Sequence, residues 1–212
     1  MTVLMGASMR GYTDIVKSLL AKGYHVAPQM DQDNHNMTFG TVNTNRTVVL
    51  ASAKTRTALV EALRAGRYYA SEDCNVRVEF KSGQDAMGSI VTKGGLPSLS
   101  LLITDPDGEA VNTIQLWGAA INDAVPSSPI KTYSGATTFT FSSGDAENIQ
   151  PNGSSWYYFV IITQADGNKI VTAPIWYTRS DLVLPVTLIN FSGRWSTGKE
   201  EIVLNWNTAR EI

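Results

Sequence analysis

The sequence has one cysteine, two histidines and no long apolar run. Because Cys74 is the single cysteine among 212 residues, no disulfide can form within the chain. The lack of a disulfide does not identify the cellular compartment of the protein, since many exported bacterial proteins lack disulfides. No apolar run approaches the roughly 20 residues that a membrane-spanning helix requires. Residues 1–5 lack the charged and apolar regions of a signal peptide, so any export signal is expected upstream.

The charge is low and mixed. The chain carries 17 Lys and Arg against 19 Asp and Glu, for a net charge of -2, and no basic stripe is present. Binding to nucleic acid through phosphate neutralisation is therefore not expected. Hydrophobic residues make up 43% of the chain, which is enough for a globular core.

Residues 1–75 mix helix and strand patterns. Thr13 is a predicted N-cap of a short helix that Gly23 ends, and Thr55 is the predicted N-cap of a second helix that Gly66 ends. The inward face of the second helix is predicted to carry Ala58, Leu59, Ala62 and Leu63. Because a strand-like run separates the two helices, this segment is typical of an α/β unit.

Residues 76–180 contain recurring short strands and no further helix. The predicted strands are 76–80, 98–103, 113–117, 137–141, 156–164 and 169–177. Asp-Gly pairs at 107–108 and 166–167 mark tight turns between them. This pattern predicts an immunoglobulin-like antiparallel β-sandwich, so the expected fold class is α+β: a partial β/α segment followed by a sandwich.

Residues 181–212 form a third zone. Two strand-like runs, 186–191 and 202–206, flank Thr197-Gly198-Lys199. They predict a hairpin, and a hairpin alone is only marginally stable in water.

The densest polar cluster spans residues 25–35 and holds both histidines. Asp33 and His35, separated by one residue, can both face a metal from a loop, and an oxygen–nitrogen donor pair suits zinc, manganese or iron. His25 and Asn34 are candidates for hydrogen bonding behind those two ligands. The pattern is equally compatible with a solvated loop in which Asp33 forms an Asx turn and His35 is exposed.

Two other features have ordinary packing interpretations. Cys74 has no nearby histidine and is interpreted as a small buried hydrophobe. The strand aromatics could line a carbohydrate platform, but their positions favour core packing. They are Trp117, Trp156, Trp176, Tyr157, Tyr158 and Tyr177.

A series of ordered blocks resembles a known family. The blocks are Gly23-Tyr24-His25-Val26-Ala27-Pro28, Gln32-Asp33-Asn34-His35-Asn36, Phe39-Gly40 and Asn45-Arg46-Thr47-Val48-Val49-Leu50-Ala51, continued by blocks through residue 179. Together they resemble the end of a PHP-type (polymerase and histidinol phosphatase) phosphoesterase domain, in the branch that carries an appended β-sandwich.

The resemblance implies a distorted β/α barrel that binds several divalent metal ions and hydrolyses phosphate esters with a metal-bound hydroxide. Asp33 and His35 would match the family's final Asp-x-His motif and would be metal ligands. The family's other ligands should lie well upstream, yet 32 residues with one histidine precede Asp33. The chain is therefore expected to be the C-terminal part of a longer enzyme and inactive alone.

The implied partners are the upstream barrel portion of the same parent and a phosphate-ester substrate. An incomplete barrel would also leave apolar surface and strand edges open, through which two copies could pair as a homodimer. The alternative is a non-catalytic β-sandwich module for adhesion or glycan binding, with residues 1–75 as a structural cap.

The last residues carry a second resemblance. The segments 184–193 and 202–212 resemble the linker that precedes the C-terminal sorting domain of type IX secretion cargo, a domain that is itself absent here. This resemblance implies a secreted or surface-attached parent.

Overall fold

The structure is a computed structural model that describes residues 2–6, 9–32, 34–181, 188–196, 198 and 201–208. The chain divides into two compact units, Met1–Asp181 and Leu182–Ile212.

The described residues form two helices and sixteen strands. In chain order these are β1 (Thr2–Gly6), α1 (Met9–Ala21), β2 (Val26–Met30), β3 (Arg46–Val49), α2 (Arg56–Arg64), β4 (Tyr68–Ser71), β5 (Arg77–Ser82), β6 (Asp85–Ala86), β7 (Ile90–Lys93), β8 (Leu99–Thr104), β9 (Val111–Ala120), β10 (Lys131–Ser134), β11 (Thr138–Phe141), β12 (Ser155–Gln164), β13 (Lys169–Thr172), β14 (Ile175–Arg179), β15 (Leu188–Ser196) and β16 (Glu201–Thr208).

The first unit is built mainly from antiparallel sheets, as the sandwich prediction requires. Within the described residues, one sheet has eight strands in the order β10-β9-β12-β13-β4-β3, with β14 on β12 and β7 on β14. A second sheet has four strands in the order β11-β8-β5-β6. Buried side chains from both sheets form one apolar core, which includes Phe80, Leu101, Leu116 and Phe141.

Strand β12 lies at the centre of the larger sheet and is buried on both faces. Tyr158, Val160 and Ile162 belong to the core shared with the smaller sheet. The alternate residues, among them Tyr157 and Phe159, belong to a second apolar cluster on the other side. Because side chains alternate across a strand, burial of both faces makes β12 a continuous apolar run.

The second cluster packs α1 and β2 against the outer side of the eight-stranded sheet. Val16 and Leu20 come from α1, and Val26 and Met30 come from β2. Strands β1 and β2 pair in parallel, and α1 connects them. This connection is a β-α-β unit.

The predicted C-terminus of α1 and the predicted N-terminus of α2 are confirmed. Gly23 has φ +80°, its N–H donates to the Leu20 carbonyl, and the Tyr24 N–H donates to the Leu19 carbonyl, which is a Schellman arrangement. Helix α2 is capped at Thr55, whose side chain accepts from the Ala58 N–H. The predicted start of α1 near Thr13 is wrong, because the helix begins at Met9.

Two burial predictions are also wrong. In α2, Ala58 and Ala62 are buried as expected, but Leu59 and Leu63 are exposed. The fully buried residues of this helix are therefore its small ones. Cys74 is exposed rather than buried, because it lies in the turn that follows β4.

Most strand predictions match, and the predicted run 169–177 divides into two strands. β13 and β14 both pair with the same edge of β12, with a one-residue change of register at Ala173–Pro174. β3 and β4, which fall within residues 1–75, lie in the larger sandwich sheet, since β4 pairs with β13. Beyond α2, the described residues contain no helix, as expected.

The second unit contains the antiparallel pair β15 and β16. The predicted strands 186–191 and 202–206 fall on this pair, although residues 186 and 187 lie outside the described residues. Among the described helices, none has the length and apolarity needed to cross a membrane.

Candidate functional site

The predicted metal motif lies in the loop that follows the carboxyl end of β2. Gln32 closes this loop: its amide donates to the Asn43 carbonyl at 2.9 Å, and its side-chain oxygen accepts from the Gly40 N–H. The Arg46 guanidinium donates to the Asn43 and Gly40 carbonyls at 3.0 Å each. The loop between β2 and β3 is thus held by side-chain-to-backbone hydrogen bonds.

The motif's own residues are only partly described. Asp33 lies outside the described residues. Asn34 forms an Asx turn, in which its side-chain oxygen accepts from the Asn36 N–H at 2.7 Å, and its amide donates to the Thr38 hydroxyl. His35 is exposed. An Asx turn thus forms at Asn34, while the turn considered for Asp33 lies outside the described residues.

His25 precedes the amino end of β2, whereas His35 follows its carboxyl end. The His25 ring contacts the Trp176 ring at a centroid distance of 4.6 Å. It also lines an open cavity of about 590 Å³ beside Arg64 and Arg67. Burial lowers the pKa of His25. These contacts connect His25 to the sandwich and to α2 rather than to Asn34.

The strand aromatics are core residues, as their positions indicated. Trp117, Trp176, Tyr157, Tyr158 and Tyr177 are all buried, and Trp156 is partly buried. They do not form an exposed platform for a carbohydrate.

A second candidate site lies at one end of the sandwich, where three turns meet. Asp73 follows β4, Asp105 and Glu109 lie between β8 and β9, and Gln164 ends β12. Carboxylate oxygens of Asp73, Asp105 and Glu109 all lie within 4.8 Å of one another. These turns come from both sheets, since β4 and β12 belong to the larger sheet and β8 belongs to the smaller one.

Gln164 lies at the centre of this acidic end, and we call the group formed by Asp73, Asp105, Glu109 and Gln164 the acidic cluster. Its amide nitrogen lies 2.9 Å from an Asp73 oxygen, 2.8 Å from an Asp105 oxygen and 3.3 Å from a Glu109 oxygen. Gln164 is 1% exposed, and its side-chain oxygen has no hydrogen-bond partner among the described residues. The amide thus faces three negative groups while its own oxygen is unsatisfied.

The carboxylates of the acidic cluster are in different electrostatic environments. Burial alone would raise the pKa of Asp73, but hydrogen bonds from the Asn75 N–H, the Gln164 amide and the Val76 N–H together lower it. The pKa of Glu109 is raised, first by desolvation and then by the negative charges of Asp166 and its other acidic neighbours. The cluster therefore holds negative charge against mutual repulsion.

Further polar groups surround the cluster. The Asn75 amide donates to Asp107, while the Asn75 side-chain oxygen is buried without a partner among the described residues. Asp105 accepts from the Asp107 N–H at 2.9 Å. None of the ion pairs found among the described residues reaches Asp73, Asp105 or Glu109.

Sequence reasoning treated residues 105–108 as a turn and missed the acidic cluster. One local signal was present: acidic side chains alternate at Asp105, Asp107 and Glu109, and oxygen-bearing residues at alternating positions are typical of cation-binding loops. The contributions of Asp73 and Gln164 carry no such signal, because these residues are separated by 91 positions.

Comparisons with known proteins do not identify a family. No protein-family model matches the sequence, and no curated protein matches it. The soluble domain of PmoD from Methylocystis sp. ATCC 49242 (Rockwell) is 10% identical, with a TM-score of 0.31 over 48% of this chain and 90% of that domain. An engineered protein is 16% identical, with a TM-score of 0.28 over 48% of this chain and 20% of its own length.

Proposed function

We propose that this chain is the C-terminal region of an exported PHP-type phosphoesterase. The observation that carries the proposal is the parallel β1-α1-β2 unit with the polar loop at the carboxyl end of β2. In β/α barrels, ligands and catalytic residues lie at the carboxyl ends of the parallel strands. Asn34 and His35 occupy that end in the described part of the loop, and Asp33 lies between Gln32 and Asn34 in sequence.

The donor set fits part of a metal site. Asp33 and His35 would hold a divalent zinc, manganese or iron ion through one oxygen and one nitrogen. When bound, the metal would supply an activated water and would neutralise phosphate charge. A catalytic zinc normally has three protein ligands, so the missing ligands would come from the upstream barrel portion. Asn34 would fix the loop beside these ligands through its hydrogen bonds to Thr38 and Asn36.

The edge of β1 supports a connection to further barrel strands. Within the described residues, β1 pairs with β2 and with no other strand, so its second edge is open. An open strand edge is normally covered, because its unpaired N–H and C=O groups would otherwise recruit another chain. In the proposed parent, the upstream barrel covers it, and in the isolated chain it provides a route to a homodimer.

The sandwich and the second unit would complete the parent. The sandwich would be an immunoglobulin-like accessory domain that packs against the barrel or binds a polymer. The segment that includes β15 and β16 would be the linker before a sorting domain, and the parent would then be secreted or attached to the cell surface. Phosphate esters are the proposed substrate class.

The experiment compares the chain alone with the full product of its gene, including any sequence encoded before Met1. Both are tested for hydrolysis of p-nitrophenyl phosphate with Mn²⁺ or Zn²⁺, and metal content is measured on each. We expect no turnover by the chain alone, turnover by the longer product, and a loss of at least about 100-fold in the longer product with His35→Ala. Asn36→Ala, an exposed neighbour in the same loop, is the control and should retain activity.

Two results would contradict the proposal. The first is tightly held, stoichiometric metal together with turnover by the chain alone, because that would require a complete site within these residues. The second is a gene without an upstream His-x-His segment, which would favour the alternative of a non-catalytic adhesion or glycan-binding module.

A further inference from the structure

We propose that the acidic cluster formed by Asp73, Asp105, Glu109 and Gln164 is a Ca²⁺-binding site. Its residues come from the turns at one end of the sandwich. None of them belongs to the loop that follows β2, so the site does not depend on the proposed phosphoesterase activity.

The carboxylates are close enough to share one cation, because their oxygens all lie within 4.8 Å of one another. Ca²⁺ takes six to eight oxygen ligands in a flexible geometry. Mg²⁺ requires near-octahedral geometry and usually keeps several waters, so a site built from several protein oxygens favours Ca²⁺. All the donors are oxygens, and such a set favours a hard cation over zinc.

Gln164 provides an observation that is independent of the acidic residues. An amide nitrogen has two hydrogens, but the Gln164 nitrogen faces three carboxylate acceptors. Its buried oxygen, which has no partner among the described residues, lies on the same terminal group. Buried polar atoms are normally satisfied, so the unpaired oxygen requires an explanation.

A cation accounts for the unpaired oxygen. Rotation of the Gln164 side-chain amide by about 180° exchanges its oxygen and nitrogen, because the two sides of the group are nearly equal in shape. The oxygen then faces the carboxylates of Asp73, Asp105 and Glu109. One Ca²⁺ ion bound to these four oxygens, with water in the remaining positions of its six to eight ligands, would satisfy the three carboxylates and the Gln164 oxygen, and the amide nitrogen would take the place that the oxygen now occupies.

The local charge favours the same ion. Asp107 accepts from Asn75 beside the cluster, and the charge of Asp166 acts on Glu109. Five carboxylates therefore gather at this end of the sandwich, and the ion pairs found among the described residues lie elsewhere. A divalent cation would replace this repulsion with attraction.

The first measurement is thermal unfolding of the full chain after treatment with EDTA, with Ca²⁺ or Mg²⁺ then added. With a Kd of about 10⁻⁴–10⁻³ M, which is typical of extracellular Ca²⁺ modules, about 10 mM Ca²⁺ should raise the melting temperature by about 3–10 °C. Isothermal titration calorimetry should give one Ca²⁺ per chain. Absence of a Ca²⁺ effect, or an equal effect of Mg²⁺, would overturn the proposal.

Glu109→Gln separates binding from folding. Removing this carboxylate relieves repulsion, so the melting temperature in EDTA should be equal to or higher than that of the wild type. The Ca²⁺ affinity should fall at least about tenfold, because one charged ligand is lost. Asp123→Asn is the matched control: Asp123 is exposed and follows the opposite end of β9, so this variant should keep the wild-type response to Ca²⁺. An unchanged affinity in Glu109→Gln would contradict the site.

Gln164→Glu distinguishes a cation ligand from a hydrogen-bonding brace. In EDTA the variant should melt below the wild type, because a fourth carboxylate enters the cluster. Ca²⁺ should then raise its melting temperature by more than it raises that of the wild type. If Gln164 acts as a brace alone, the variant will be destabilised equally with and without Ca²⁺, and the proposal fails.

Discussion

Leu20→Ala tests whether α1 and β2 are an integral part of the first unit. Leu20 is fully buried in the cluster that includes Trp117, Tyr157 and Phe159. The substitution removes three carbon atoms, which costs about 2.4 kcal/mol at about 0.8 kcal/mol per carbon. The cavity left behind adds to that loss, so the free energy of unfolding should fall by about 2–5 kcal/mol.

Ile15→Ala is the matched control because Ile15 lies on the same helix with 47% of its surface exposed. Its substitution should change the free energy of unfolding by less than about 0.5 kcal/mol. For a unit of this size, each kcal/mol shifts the melting temperature by about 2–4 °C. Leu20→Ala should therefore melt roughly 6–12 °C below Ile15→Ala for a loss of about 3 kcal/mol.

The assay is urea unfolding followed by tryptophan fluorescence, since Trp117 and Trp176 lie in the same cluster as Leu20. Trp195 belongs to the second unit, so hydrogen-exchange mass spectrometry is needed to assign the response to segments. We expect Leu20→Ala to speed exchange in β9 and β12 as well as in α1. Equal effects of the two substitutions, or loosening confined to α1 and β2, would refute packing of α1 onto the sandwich.

Two further predictions concern the sandwich itself. In urea unfolding, Gly88→Ala should destabilise the protein by at least about 1 kcal/mol more than Gly95→Ala does, because overpacking typically costs about 1–3 kcal/mol. Both glycines have positive φ, but a Cβ at Gly88 would lie 2.4 Å from the Gly66 carbonyl oxygen, while at Gly95 it would meet nothing within 4 Å; equal losses would contradict this close approach. Asp145→Asn should lower the melting temperature at pH 7 but not well below pH 3.8, the ordinary pKa of an aspartate. The Lys131 ammonium and the Ser142 N–H lower the pKa of Asp145, so the charged carboxylate stabilises the fold at pH 7. This stabilisation is lost as the pH falls through the lowered pKa. Glu79→Gln, in a more exposed pair with Lys81, is the control, and a deficit of Asp145→Asn that is the same at both pH values would contradict the prediction.

The features that local chemistry determines could be predicted from the sequence. Gly23 and Gly66 end helices because each adopts positive φ, and Thr55 caps α2 through its own hydroxyl. The start of α1 lies at Met9 rather than near Thr13, and the two residues before Met9 lie outside the described residues. Leu59 and Leu63 matched a helix period of 3.6, but the period does not show which stripe of a short helix meets the sheet.

The acidic cluster could not be predicted because its residues come from distant turns. Asp73 and Gln164 meet because the Ser71 end of β4 is aligned with Ile170 of β13, which follows the turn after Gln164. Pairing register of this kind depends on the whole sheet rather than on neighbouring residues. Residues 25–35 show the opposite relation between sequence and structure. His25 and His35 are close in sequence, but they lie at opposite ends of β2.

Strand β12 connects the acidic cluster to both apolar cores. Its last residue, Gln164, lies in the acidic cluster, while its two faces supply Tyr158 to one core and Tyr157 to the other. A Ca²⁺ ion on Gln164 would therefore fix the end of the strand on which both cores depend. Its binding energy should appear as greater stability of the whole first unit, including α1 and β2, rather than as local ordering of three turns.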